Sequence, residues 1–156
     1  MLKYYDYAIV MQEVPDEITL ALDITNCPHK CEDCHSPHLR NDVGKELTKE
    51  EILFLLQKYR YCSCVCFMGG DGQHQAIIDL IESVKQCTKD IKFAMYSGDD
   101  TKDYNLIRVL DYYKIGHYDK NLGPLNKKTT NQIMYKINDG ELTDITNKFW
   151  FTQFSM

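Results

Sequence analysis

The sequence predicts an α/β domain on a mainly parallel sheet, curled into an abbreviated, open partial (βα) barrel. Three observations point there. Short apolar strands alternate with amphipathic helices, the pattern of successive βαβ units. Right-handed crossovers would bring the strand-to-helix loops to one rim, and three of those loops carry unusual chemistry. The chain has 156 residues, against roughly 250 for a closed eight-stranded barrel, so a partial, open barrel or a short open sheet fits better. The same length fits one domain spanning residues 1–156.

The elements follow in order. Glu17 to Ile24 alternates apolar and polar residues (Ile18, Leu20, Leu22) and reads as a strand. It runs into a loop, Asn26 to Asn41, holding three cysteines, three histidines and two prolines. Thr48-Lys49-Glu50-Glu51 is a capping box that opens a helix, whose stripe is Ile52, Leu55, Leu56 and Tyr59. Val65 to Met68 is a strand stopped by Gly69-Gly70. A second helix follows, with Ile77, Leu80, Ile81 and Val84 on one face. Ile91 to Tyr96 reads as a strand closed by Ser97-Gly98-Asp99. Leu106, Val109, Leu110 and Tyr113 suggest a third helix, and Ile115 to Tyr118 a weaker strand. Ile133 to Ile137 and Ile145 to Phe151 read as late strands or extended edges.

Composition narrows the function classes. Lys and Arg number 18 against 23 Asp and Glu, a net charge of −5 that disfavours a nucleic-acid binder. No apolar run reaches the roughly 18 residues of a membrane span. The start, Met-Leu-Lys-Tyr-Tyr-Asp-Tyr, lacks a signal-peptide core, so a cytoplasmic protein without membrane partners is expected. The seven cysteines are odd in number and sit in a chain expected to be reduced, which favours metal or redox chemistry over disulfides.

Cys27-Pro28-His29-Lys30-Cys31-Glu32-Asp33-Cys34 has the spacing C-x3-C-x2-C. Three thiolates on one curling loop can converge on one centre. A four-iron cluster ordinarily takes four cysteines, so three would leave one iron open to a small molecule. The spacing also admits zinc, completed by His29, His35 or His38. Cys62, Cys64 and Cys66 alternate. On a straight strand, same-face neighbours lie about 6.5–7 Å apart along the chain. That is too far for one tetrahedral zinc, so packing is the expected role, as it is for Cys87. Gly69-Gly70 taken alone is a turn; beside the cysteine loop it becomes a candidate ligand cradle.

C-x3-C-x2-C after the first strand, with a Gly-Gly-acid loop after the second, resembles the radical S-adenosylmethionine superfamily. Asn26-Cys27-Pro28-His29, Cys34-His35-Ser36 and Met68-Gly69-Gly70-Asp71 resemble the activating proteins of anaerobic (class III) ribonucleoside-triphosphate reductases. So do Leu122-Gly123-Pro124-Leu125, Thr129-Thr130-Asn131-Gln132, Asp144-Ile145-Thr146 and Phe149-Trp150. The resemblance implies that Cys27, Cys31 and Cys34 hold a [4Fe-4S] cluster and that S-adenosyl-L-methionine is the second cofactor. It implies ligand contacts from Asp33, Cys34, His35, Gly69, Gly70, Asp71, Ser97 and Gly98, with Asn131 and Gln132 on the ligand or reductase side. It further implies an oxidoreductase that generates a glycyl radical on the reductase, with flavodoxin or ferredoxin as electron donor. Activation of another glycyl-radical enzyme, or a non-catalytic zinc adaptor, are the alternatives. Asp33 stands where many radical enzymes carry an aromatic, and Gly72 where a proline is commoner. Asp99 and Asp100 replace a more usual aromatic.

Overall fold

A computed structural model describes residues 1–28 and 37–151. Its frame is one eight-stranded mixed sheet. The strands are β1 (Lys3–Val10), β2 (Thr19–Ile24), β3 (Lys45–Glu46), β4 (Cys64–Met68), β5 (Lys92–Tyr96), β6 (Tyr112–Ile115), β7 (Ile133–Asn138) and β8 (Glu141–Asp144). The helices are α1 (Lys49–Lys58), α2 (His74–Lys85), α3 (Tyr104–Ile107) and α4 (Asn147–Phe151). The order across the sheet is β3-β1-β2-β4-β5-β6-β7-β8.

The partial (βα) barrel on a mainly parallel sheet is corrected by this order. Among the described residues only β2–β4, β4–β5 and β5–β6 pair in parallel. The pairs β1–β2, β1–β3, β6–β7 and β7–β8 are antiparallel. Helical crossovers connect the parallel strands; the outer strands return without one. At one edge β7 turns into β8 through Asp139 and Gly140, with φ of 50° and 80°. Those signs suit a tight hairpin turn, which can only produce antiparallel pairing. On the other side β1, between β2 and the edge strand β3, is an added strand that the periodicity does not reveal. Its register shifts between Tyr4 and Tyr7, which breaks strict alternation.

Three further segments differ from expectation; one is the weaker strand expected over Ile115 to Tyr118, which lies earlier, as β6, and ends at Ile115. The third helix stops at Ile107, and Tyr113 lies inside β6, although Leu106, Val109 and Leu110 are all buried as their spacing predicts. Residues 145–151 hold helix α4 instead of a strand.

The capping box is half realised. Thr48 Oγ1 accepts the Glu51 amide at 3.1 Å, which caps α1. The Glu51 carboxylate turns elsewhere, accepting the Tyr4 hydroxyl at 3.0 Å and pairing with Lys45 at 2.9 Å. Helix α1 is thereby fastened to the β1–β3 edge.

One face of the sheet buries Leu20, Leu22, Ile24, Val65, Phe67, Phe93, Met95 and Tyr113 beneath α1, α2 and α3. The other face carries Cys64, Cys66, Ala94, Tyr112 and Met134, covered by Val14, Leu125, Ile145 and Phe149. Cys62 packs on the helix side, so the alternating cysteines are divided between two cores. No helix among the described residues is long and apolar enough to cross a membrane.

Candidate functional site

Four parallel strands end in register: Asp23, Met68, Tyr96 and Lys114 form one row across β2, β4, β5 and β6. The loops that follow therefore leave from a common rim. Hydrogen bonds extend the row past the strands, from Gly69 N to Tyr96 O (3.0 Å), Ser97 N to Lys114 O (2.8 Å) and Gly116 N to Asp99 O (2.7 Å).

The cysteine loop starts at this rim. Cys27, half-buried, follows β2, and its amide donates to the Leu39 carbonyl at 2.8 Å. Asn26, with φ of 64°, donates its amide to Asn41 O and its side-chain Nδ2 to Asp42. The chain thus departs and returns through one closed neck. Cys31, Asp33, Cys34 and His35 lie outside the described residues.

The Gly-Gly-Asp loop leaves the end of β4, the next strand. Gly69 and Gly70 have φ of 108° and 106°, which side chains rarely tolerate. A Cβ on Gly69 would come within 3.2 Å of Ile24 O; one on Gly70 would sit 3.1 Å from Ile77 Cδ1. Gly72, with φ of 81°, faces Pro28 of the cysteine loop, whose Cγ lies 3.8 Å from where its Cβ would be. Proline, fixed near −65°, cannot adopt that conformation, which accounts for glycine at this position. Gln73 Nε2 donates to Thr25 O at 3.2 Å, tying this loop to the root of the cysteine loop.

Asp71 is 3% exposed, and three protein donors converge on its carboxylate. Ser97 Oγ (2.7 Å) and His74 Nε2 (3.0 Å) reach Oδ1, and the Gly98 amide reaches Oδ2 at 2.8 Å. Asp71, expected among the ligand contacts, is therefore engaged within the protein, and it holds Ser97 and Gly98 beside the two glycines. His74 also meets Asp103 through Nδ1 at 2.8 Å. Bonding to Asp71 first, then to Asp103, outweighs burial and pushes the imidazole up to about 9.

Asn131 and Gln132 precede β7, whose first residue pairs with the end of β6. Gln132 is buried and donates to Gly116 O at 3.4 Å; Asn131 donates to His117 O at 3.2 Å. Lys114, buried on the same strand end, donates to the carbonyls of Ser97 and Gly116 at 2.8 Å each. A cavity of about 320 Å³ opens here, lined among others by Glu13, Tyr96, Lys114, Leu125, Gln132 and Phe149. Asp100, one of the two unusual acids, pairs with His117 at 2.8 Å.

A family model described as a 4Fe-4S single cluster domain matches residues 18–138. The chain belongs to the 4Fe-4S single cluster domain family. No curated protein and no solved structure matches it. The matched span runs from β2 through β7 and takes in the cysteine loop together with the whole rim. For this iron–sulfur protein the donor set suits the cluster: cysteine thiolates are its customary ligands, and Cys27 stands at the loop's neck. His74, Asp103, Gln73 and Lys114 escaped the sequence reading. Of the two acids that meet the ring, Asp71 is three residues back, but Asp103 is 29 residues away, so the doubly bonded histidine is not visible in the sequence.

Proposed function

We propose that this 4Fe-4S domain is a radical S-adenosylmethionine enzyme that activates an anaerobic ribonucleoside-triphosphate reductase by installing a glycyl radical. The observation that carries the reading is the adjacency of Cys27, at the end of β2, to the Gly69-Gly70-Asp71 loop at the end of β4. Cys27, Cys31 and Cys34 would hold the cluster, leaving one iron without a thiolate. That cluster supplies one electron and an open coordination position to S-adenosylmethionine, releasing methionine and the 5′-deoxyadenosyl radical that takes hydrogen from a glycine Cα of the reductase.

The protein's own groups then have distinct tasks. Gly69 and Gly70 expose backbone at close range, where a ligand's amino and carboxylate groups can bond to it. Asp71 fixes that backbone against Ser97 and Gly98. Gln73 keeps the loop in register with the cysteine neck. The cavity beside Lys114 and Gln132 adjoins the rim and is the place for the partner's glycine-bearing segment. A cytoplasmic flavodoxin or ferredoxin would deliver the electron. The family match favours iron over zinc at these cysteines.

Anaerobic reconstitution with iron and sulfide should give about four irons per chain. Dithionite and S-adenosylmethionine should then release 5′-deoxyadenosine, and a glycyl radical should appear by electron paramagnetic resonance only when the reductase is added. A fully loaded cluster that cleaves nothing refutes the enzyme reading. Cleavage with a radical on a different glycyl-radical enzyme reassigns the partner. One tightly held, colourless zinc per chain would restore the adaptor.

A further inference from the structure

His74 is the junction of a hydrogen-bonded chain that links five elements. It begins at Ser97, after β5, whose hydroxyl donates to Asp71, after β4. It continues through the His74 ring, at the start of α2, to Asp103, the N-cap of α3. It ends on β6, where the Tyr113 hydroxyl accepts the Asp103 amide at 3.2 Å. Both ring nitrogens face carboxylate oxygens, so both must carry protons for the two bonds to coexist. A neutral ring can donate to only one of the acids.

We propose that His74 is the positioning residue of the rim: its doubly bonded imidazolium locks Asp71 to Asp103 and so holds the Gly69–Asp71 and Ser97–Gly98 backbone in place for S-adenosylmethionine. The inference rests on the reading of the rim given above. Three acids face the ring among the described residues. They are Asp71 from the β4 end, Asp103 from α3, and Asp99 after β5, whose Oδ2 lies 3.7 Å from Nε2. Tyr113 sits one bond further on, its phenol pushed up to about 12 by burial. The cation is therefore favoured by its surroundings, and it is lost as pH rises through about 9. Above that pH one bond of the pair disappears, and the backbone it holds loosens.

The test measures S-adenosylmethionine affinity of the reconstituted protein from pH 7 to 10, with iron content as the control. The wild type should weaken along an alkaline limb centred near pH 9. His74→Gln should bind about tenfold more weakly at neutral pH, with that limb absent and iron content unchanged. Asp103→Asn keeps an acceptor for the Asn105 amide that caps α3 but removes one charge facing the ring, so its limb should move to lower pH. His74→Gln binding like the wild type, with the same limb, overturns the inference. If His74→Gln does not fold, an unmoved limb in Asp103→Asn overturns it. A wild type that loads four irons and binds no S-adenosylmethionine at any pH removes the rim reading itself, and the inference with it.

Discussion

Gln73 and Thr25 join the two loops of the rim: Gln73 Nε2 donates to the Thr25 carbonyl at 3.2 Å, two residues before Cys27. Thr25 is fully buried, and its own amide donates to Lys3 O at 3.0 Å. Gln73→Leu removes the side-chain donor and leaves the carbonyl without it, at a cost of about 1–2 kcal/mol. The expected result is a modest fall in the denaturation midpoint and a several-fold faster loss of iron to a chelator. Iron loss at the wild-type rate would show that the cysteine neck is held without this bond.

Asp71→Asn tests the centre of the network. The amide group turns one acceptor into a donor, aimed at donors on Ser97 and His74 or on Gly98. It also removes the charge that faces the imidazolium. Breaking a buried pair on one side costs about 3–5 kcal/mol. At roughly 2–4 °C per kcal/mol for a chain of this size, the melting point should fall by about 10 °C. A melting point within 3 °C of the wild type would mean that the carboxylate does not hold the rim together.

Particular residues show how far the fold and site were legible. The spacing of Ile52, Leu55 and Leu56, and of Ile77, Ile81 and Val84, gave both long helices, because each buries one stripe against a sheet. Leu106, Val109 and Leu110 gave a buried turn but not its end; apolar spacing cannot show where a chain straightens, and Tyr113 serves equally well in a strand. The antiparallel edges were hidden in part: Asp139-Gly140 is a hairpin signal, whereas nothing local marks the bulged β1. The glycine loops and the cysteine spacing are contiguous and so were readable. The His74 junction is assembled from residues 71, 97 and 103, which only the folded sheet brings together.

Gly72→Pro is an informative variant, since the resemblance to radical S-adenosylmethionine enzymes implies proline as the commoner residue here. With φ of 81°, the position lies far from proline's permitted range, so the loop must rearrange around it. The cost should exceed that of Gly72→Ala, whose Cβ meets Pro28 Cγ at an ordinary contact distance of 3.8 Å and bears the strain of a positive φ, about 1–2 kcal/mol. Chemical denaturation of both variants should rank wild type above alanine above proline. A proline variant as stable as the wild type would show that the loop between Asp71 and Gln73 has a second conformation of equal energy.

The four cysteines outside the loop separate by accessibility. Cys62, Cys64 and Cys66 are buried and Cys87 is exposed. Burial pushes the Cys62, Cys64 and Cys66 thiols above the ordinary range, strongly for Cys64 and Cys66. Thiolate is the reactive form, so the three should resist alkylation in the native state while Cys87 reacts, as mass mapping of a short iodoacetamide pulse can show. The same shifts set a sign for stability. Folding holds these thiols protonated, and the unfolded chain ionises them above about pH 9, so stability from this source falls as pH rises past that point and is unaffected below it. Replacing Cys64 and Cys66 with alanine should flatten that alkaline decline while leaving four irons per chain. A loss of iron in the double variant would make these cysteines part of the cluster site, and a decline of unchanged steepness would place its origin in other groups.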